Sequence, residues 1–541
     1  RLGTSRLAKP LVQANGPRRW VWPASLVAGG LVLFAAYLRQ ARTVPVMSDG
    51  ASNALQAWDM LHGNLLLHGW TLTDLSFYTI DLPEYMALEL VHGLNPGTAR
   101  VGAALAYTLV VLGAVLLAKG RATGKEGGVR AALAAAIMIA PPLGIATNTL
   151  ISDPDHTATQ LPLLLVWAIL DRARPRWQVP VVVTALLAVS LVADPVVAYE
   201  GVLPIVVVCA VQLYRARRGQ APWPPLRESW YALSLAGGSL LSVGIADLTL
   251  RLIQRSGGFV LAPLDTTFAG VSSLSSHLAV TAQSVLAVFG ADFSGDQLSA
   301  HAAIAVLHLA GVGLAGWATI RALRHFAGAE LVVRILAIAV VVLLAAYTTS
   351  GSYNALGGPH EIVGILPAAA VLAGRLLAGP LTRGRHLGLV AVLVVAMAAL
   401  LVHDSVQGPG RDADLHLAGW LATHHLDYGL ATYWNASSVT VDSGGAVQVR
   451  PVNRNARGRI APVNRDSVRS WYSAGQHDAS FLVVPTTHSS CSAGSRGQWL
   501  ATADADFGPP AASYRVGRFI VLVWPHNLLT QLARPMPVGS C

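Results

Sequence analysis

Charge is what this chain is short of: 12% of its 541 residues are Asp, Glu, Lys or Arg, about half of the roughly 25% usual in a soluble globular domain. That shortage excludes a water-soluble enzyme. Lysine is scarcer still, 3 against 35 arginines, and no glycine-rich phosphate loop ending in lysine occurs, so nucleotide hydrolysis finds no support. Cysteine numbers 3, with no Cys-x-x-Cys pair and no His-Glu-x-x-His, so a structural zinc site finds none either. Cys209 falls inside an apolar run and reads as a small packing residue. Cys491 and Cys541 fall in a polar C-terminal region, where an oxidising compartment would permit a disulfide, and the pairing stays open.

What the chain has instead is apolar sequence, 53% of the residues. Runs near the ~20 residues that cross a bilayer recur at about 20–38, 101–118, 130–150, 159–170, 179–198, 201–214, 231–252, 300–320, 332–348, 362–380 and 386–403. They predict a mainly α, polytopic membrane protein with about 11 transmembrane helices in residues 1–403. The first run follows a basic head like that of a signal peptide, but it lacks a small-residue cleavage site and is long enough to span, so it reads as a retained helix.

Lys and Arg near span ends stay cytoplasmic, which orients the bundle. With the N-terminus inside, the inner loops hold 22 of the 27 Lys and Arg residues before position 404, and the outer loops hold five. Acidic residues sort the other way, about fourteen outside and four inside. An odd number of spans puts residues 404–541 outside. The formal charge of +10 is therefore a matter of topology and anionic lipid, and gives no nucleic-acid signal.

Two outer loops are too long to be connectors. Residues 39–100 begin with a helical pattern, Ala54, Leu55, Trp58 and Leu61, with Ser48 placed to cap it, and this reads as amphipathic helices lying in the interface. Residues 253–299 read as one or two short helices resting on the membrane. After His403 the composition changes to eleven Arg, nine Asp and no Lys or Glu, which marks a small soluble α/β domain tethered by Gln407–Gly410. Thr432–Trp434, Ser438–Asp442, Ala446–Val452, Phe481–Val484 and Phe519–Trp524 read as its strands, and His416–Thr423 and Asn527–Leu532 as helices.

Polar groups are costly in hydrocarbon, so carboxylates gathered at one membrane face need a reason. Asp49 stands in Met47-Ser-Asp-Gly-Ala51, just after the first span. Asp153-Pro-Asp155-His156 opens the fourth, His360-Glu361 precedes the tenth, and Arg251 and Arg255 end the seventh. Each has a plainer reading. Acids before a helix cap it, arginines at a span end snorkel, and Asp74, Asp81 and Glu84 read as the solvated edge of the first loop.

Taken together, a cytoplasmic N-terminus, a carboxylate after the first span, a long first outer loop, many further spans and an outer C-terminal domain resemble the GT-C superfamily of polytopic glycosyltransferases. The resemblance covers residues 1–403 as architecture and the outer domain as a general plan. It implies transfer of a sugar from a polyprenyl-phosphate donor to an envelope glycan or lipid acceptor on the outer face of a bacterial plasma membrane. Asp49 would be the base on the acceptor hydroxyl, and Asp153 or Asp155 would match the acidic cluster of the second outer loop. The family's first site often carries paired carboxylates, whereas Ser48 and Gly50 flank Asp49 here, which leaves a divalent cation an open question. Direct displacement would invert the anomeric carbon. Arg251 or Arg255 would stabilise the leaving phosphate, His156 or His360 would assist, and Glu361 would stand among the substrate-binding residues. Arg-rich, Ala-Val-Leu-Gly-rich composition fits a GC-rich bacterial source. The rival reading is a transporter or flippase for a lipid-linked or small polar substrate, which would carry ionisable groups near the midplane. Asp247 is the main such group here. A catalytically silent scaffold of the same architecture is the third.

Overall fold

The computed structural model describes residues 18–218, 226–263, 267–293, 300–351, 358–382, 386–485 and 494–539. Cys491 and Cys541 lie outside them. In the membrane part the helices are α1 (Arg18–Ala41), α2 (Ser48–Leu61), α3 (Asp81–His92), α4 (Gly97–Lys119), α5 (Gly124–Met138), α6 (Ile145–Ile151), α7 (Asp155–Arg172), α8 (Gln178–Ala193), α9 (Leu203–Arg217), α10 (Leu226–Arg255), α11 (Leu274–Val288), α12 (Ala300–Arg324), α13 (Leu331–Thr349), α14 (Ile365–Leu381) and α15 (His386–Ser405). The C-terminal part adds α16 (Ala413–Thr423), α17 (Tyr433–Asp442) and α18 (Arg496–Phe507).

The protein is a multi-pass membrane protein. Among the described residues nine helical segments are long and apolar enough to cross a bilayer, so the expected eleven is not established. The run 130–150 is cut by Pro141-Pro142 and by Gly144 at φ 104°, which divides it into α5 and α6 because proline cannot continue a helix. α8 is shorter than a full span, and α7 carries Asp155, Asp171 and Arg172 within 18 residues. Conversely α11, expected to rest on the membrane, is apolar enough to span with the turn before it. Rows of exposed apolar side chains run along α1 (Val27, Leu31), α10 (Leu240, Leu241, Leu248) and α15 (Leu389, Val392, Val395), a surface that only lipid would cover.

At the centre sits α14, buried along nearly its whole length. Small residues make this possible: a Cβ on Gly374 would come within 2.6 Å of the Arg130 carbonyl oxygen on α5, so the backbones pack at a distance only glycine allows. Near the C-terminal end of α14, Arg375 donates to the Leu117 carbonyl and pairs with Asp171 and Glu330, each at 2.7 Å. It thereby ties α4, α7 and α13 to α14 at the basic end of the bundle.

A mixed sheet of six strands carries the C-terminal domain, in the order β5-β4-β3-β7-β9-β8. Here β1 and β2 are Trp70–Leu72 and Val260–Leu261, β3 is Tyr428–Thr432, β4 Gln448–Arg454, β5 Ile460–Pro462, β6 Ser467–Val468, β7 Phe481–Pro485, β8 Ala512–Val516 and β9 Phe519–Val523. Period-two alternation sends Phe481 and Val483 to the face covered by α16 and α17, and Leu482 and Val484 to the face covered by α18, giving an α/β domain of three layers. Two of the expected strands are one helix: Thr432–Trp434 and Ser438–Asp442 fall at or within α17. The β-branched run Ser-Val-Thr-Val favours strand locally, but Ala436 and Val439, three apart, face the sheet and Thr440 Oγ1 bonds the Ala436 and Val449 carbonyls, so packing overrides propensity. Asn527–Leu532 forms only a single turn, Leu528–Thr530.

Three distant segments meet in a second sheet, ordered β2-β1-β6. It joins the first long loop, the loop after α10 and the C-terminal domain. The tether passes close to the chain leaving α1, where Gly410 N–H donates to the Arg42 carbonyl at 3.0 Å.

Removing Arg375 leaves Asp171 buried without its cation. Arg375→Ala should lower stability by about 3 kcal/mol, read as a fall in the unfolding midpoint in detergent. Arg375→Lys should recover only part of it, since a lysine cannot reach the Leu117 carbonyl and both carboxylates in one planar fork.

Candidate active site

α2 is packed within the protein: ten of its fourteen residues are buried, because the C-terminal domain covers one side and α3 the other. Ser48 does not cap it. Met47 holds the N-cap position without a side-chain bond, and the Ser48 hydroxyl donates instead to the Tyr433 carbonyl at 2.6 Å. One turn later Ser52 donates to Ser437 at 2.9 Å. These two contacts, in equal steps along both chains, set α2 and α17 side by side and parallel.

Asp49 is thereby aimed at Tyr433, whose phenol hydroxyl lies 2.5 Å from Asp49 Oδ1 and 2.6 Å from Asp466 Oδ2. One hydroxyl carries one proton. With both carboxylates ionised, Tyr433 can satisfy only one of them fully, so the three oxygens form a proton-sharing set. Arg465 lies over the Tyr433 ring, 5.4 Å from its centroid, and its Nε is 3.9 Å from Asp466 Oδ2. Asp49 is half-buried and its Oδ2 makes no hydrogen bond among the described residues.

Glycine at position 50 permits a close approach. A Cβ there would stand 2.7 Å from Asp153 Cβ, so glycine lets the loop between α6 and α7 press against the start of α2. Asp153 is thereby held against the residue that follows Asp49. Neither Asp153 nor Asp155 caps α7, whose N-cap is Pro154. Asp155 sits at φ 33°, a strained conformation for a residue with a side chain.

Beyond Asp153 the cluster continues inward. His156 Nδ1 bonds Asp194 Oδ2 at 2.7 Å, and Thr159 and the Val196 amide complete the Asp194 carboxylate at 3.0 and 2.9 Å. That bond fixes the imidazole plane and turns Nε2 toward Asp155 at 3.9 Å and Glu361 at 3.8 Å. His360 Nδ1 lies 3.6 Å from Asp155 Oδ2. Gln160 donates to Glu200 Oε2 at 2.7 Å, and Glu200 sits in a π-helical turn, Ala198–Val202, against Gly364, where a Cβ would run into its carboxylate.

Of the residues singled out in the sequence, Asp49, Asp153, Asp155, His156, His360 and Glu361 thus meet. Arg251 and Arg255 do not join them: Arg251 spends its charge on Asp247 at 3.0 Å on the exposed face of α10, one turn away, and Arg255 is exposed. The cation beside Asp49 is Arg465, from the C-terminal domain. Asp81 is no solvated edge; it is fully buried and neither carboxylate oxygen has a hydrogen-bond partner. Asp194 and Glu200 were within reach of the charge argument, since both fall where the fifth apolar run gives way to the sixth. Tyr433, Arg465 and Asp466 carried no local signal. Among the described residues no three His, Cys, Asp or Glu side chains are arranged to hold a metal ion.

The site is rich in negative charge, and burial makes that costly. Burial pushes the Asp466 carboxyl up to about 6, with Arg465 opposing and Asp49 adding to the rise. Burial likewise lifts Glu84 to about 7, and raises Asp153, with the Asp155 charge adding.

Two outcomes follow from this geometry. Gly50→Ala should force α2 and Asp153 apart and destabilise the protein by about 1–3 kcal/mol, read as a lower melting temperature in detergent. Asp466 holds its proton more tightly folded than unfolded, because its value of about 6 exceeds the ordinary 3.8. Its stabilising contribution is full below the lower value and is lost as pH rises through the higher one. Asp466→Asn should therefore reduce the fall in melting temperature between about pH 4 and about pH 7; an unchanged slope would contradict the assignment.

No protein-family model matches the chain, and neither does any curated protein sequence. Solved structures do. A crystal structure of ArnT from Cupriavidus metallidurans in the apo state superposes with a TM-score of 0.58 at 16% identity, covering 95% of this chain and 99% of that one. The crystal structure of the same ArnT bound to undecaprenyl phosphate superposes with a TM-score of 0.55 at 17% identity, covering 93% and 98%. ArnT is a GT-C glycosyltransferase. Over nearly its whole length, then, this chain has the fold of ArnT.

Proposed function

We propose that the protein is a glycosyltransferase that moves a sugar from a polyprenyl-phosphate donor to a glycan or lipid acceptor of the cell envelope. It would act at the outer face of the plasma membrane, with the N-terminus in the cytoplasm and the C-terminal domain outside. The observation that carries this reading is Asp49: a carboxylate at the rim of the helix bundle, held through Oδ1 by Tyr433 and left open at Oδ2. The fold supports it, as does the undecaprenyl phosphate bound by the ArnT of similar structure.

In the proposed reaction Oδ2 of Asp49 takes the proton of the acceptor hydroxyl as that oxygen attacks the anomeric carbon. The bond from that carbon to the phosphate oxygen breaks, and its electron pair leaves with the lipid phosphate. Tyr433 orients the base and, by donating to Oδ1, spreads its charge. Arg465 supplies the positive charge that Arg251 and Arg255 are too distant to give, and His156 and His360 face the carboxylates that crowd the donor's path. Acids at one rim serve surface chemistry; translocation would place them along a path through the bundle.

General-base catalysis is worth about 10²–10⁴ in rate. Asp49→Asn should lose at least that much transfer from a polyprenyl-phosphate sugar while its melting temperature stays near wild type. Full activity in that variant would sink the assignment. Single displacement predicts inversion, so the product's anomeric configuration, read by nuclear magnetic resonance, should be opposite to the donor's.

A further inference from the structure

A cavity of about 420 Å³ opens at the other end of α2 from Asp49, where α2, β1 and β6 meet α17 and β4 of the C-terminal domain. Its size lies within the ~300–1,000 Å³ typical of small-molecule sites. Asp49 and Asp59 are ten residues apart on one helix, a rise of about 15 Å, so the cavity is separate from the acidic cluster while rigidly joined to it.

The lining is aromatic and hydrogen-bonding, with one carboxylate, Asp59, and one guanidinium, Arg450. Three tryptophans, Trp58, Trp70 and Trp471, form its walls, with Trp70 and Trp471 edge to face at 5.1 Å. Between them stand hydrogen-bonding groups already held in place. Asp59 Oδ2 accepts from Trp70 Nε1 at 2.7 Å and from Asn64 at 2.6 Å. The Arg450 guanidinium carbon lies over Trp471, 4.0 Å from its ring centroid, and the side chain donates to Gln448 at 2.5 Å. No carboxylate pairs with Arg450 among the described residues. Aromatic faces carry negative partial charge and suit the C–H face of a sugar ring, while fixed acceptors and donors at the edge suit its hydroxyls. An anionic ligand would meet Asp59, and a cationic one Arg450.

We propose that this cavity binds a neutral oligosaccharide, holding inner residues of an acceptor glycan whose terminal hydroxyl reaches Asp49. The use of the cavity as an acceptor subsite rests on the transferase reading; sugar binding by itself does not. The test uses the full-length protein in detergent, titrated with linear trisaccharides of glucose, galactose, mannose and arabinose and with trigalacturonic acid, and reads intrinsic tryptophan emission. At least one neutral trisaccharide should give a saturable change, and Trp471→Ala should weaken it about tenfold. Trp58→Ala, which puts the best helix former on a half-buried face of α2, should do the same with little risk to folding. The proposal is overturned if no neutral trisaccharide binds, if both variants bind as well as wild type, or if the anionic trimer binds equally. Transfer by the wild type without trisaccharide binding would remove this subsite and leave the transferase reading. Trisaccharide binding by a wild type that transfers nothing would do the reverse.

Discussion

Tyr433 is gripped at both ends by a helix 385 positions earlier in the chain: its carbonyl by the Ser48 hydroxyl and its phenol by Asp49. The other features of the site depend on this contact. It docks the C-terminal domain on α2, brings Arg465 and Asp466 to Asp49, and closes the three-segment sheet over the first loop. Serines at 48, 52 and 437 and glycine at 50 are what permit it, since larger residues would hold α2 away from both α17 and Asp153.

The crowding of buried carboxylates is a cost to the fold. Among the described residues, Asp49, Asp81, Asp153, Asp155, Asp194, Glu200 and Glu361 are offset within the site by two histidines and Arg465. Some are satisfied in the ordinary way, as Asp194 is by His156, Thr159 and a backbone amide. Others, Asp81 foremost, are not. Buried groups left in this condition, with a strained residue at Asp155 and a π turn at Glu200 close by, gather where chemistry is done rather than where stability is gained.

Much of this was legible along the chain. Apolar runs and flanking arginines are local sums, and they predicted a membrane bundle; the structure brings Asp155, His156, His360 and Glu361 within ion-pair reach of one another. The count of spans was less legible, because Pro141-Pro142 breaks a run that hydropathy joins. α17 was misread since its β-branched residues favour strand and only packing decides otherwise. Asp81 was misread since exposure is a property of what covers a loop.

Sequence alone determined that the chain enters a membrane and that Asp49 follows the first of its apolar runs. These follow from the cost of polar groups in hydrocarbon, a rule that acts residue by residue. Tertiary structure decided that Asp49 shares the Tyr433 hydroxyl with Asp466, that the cation over that ring is Arg465 and not Arg251 or Arg255, and that a tryptophan-lined cavity sits at the far end of its helix. Those outcomes depend on which surfaces fit together between segments hundreds of residues apart, and no local sum contains that.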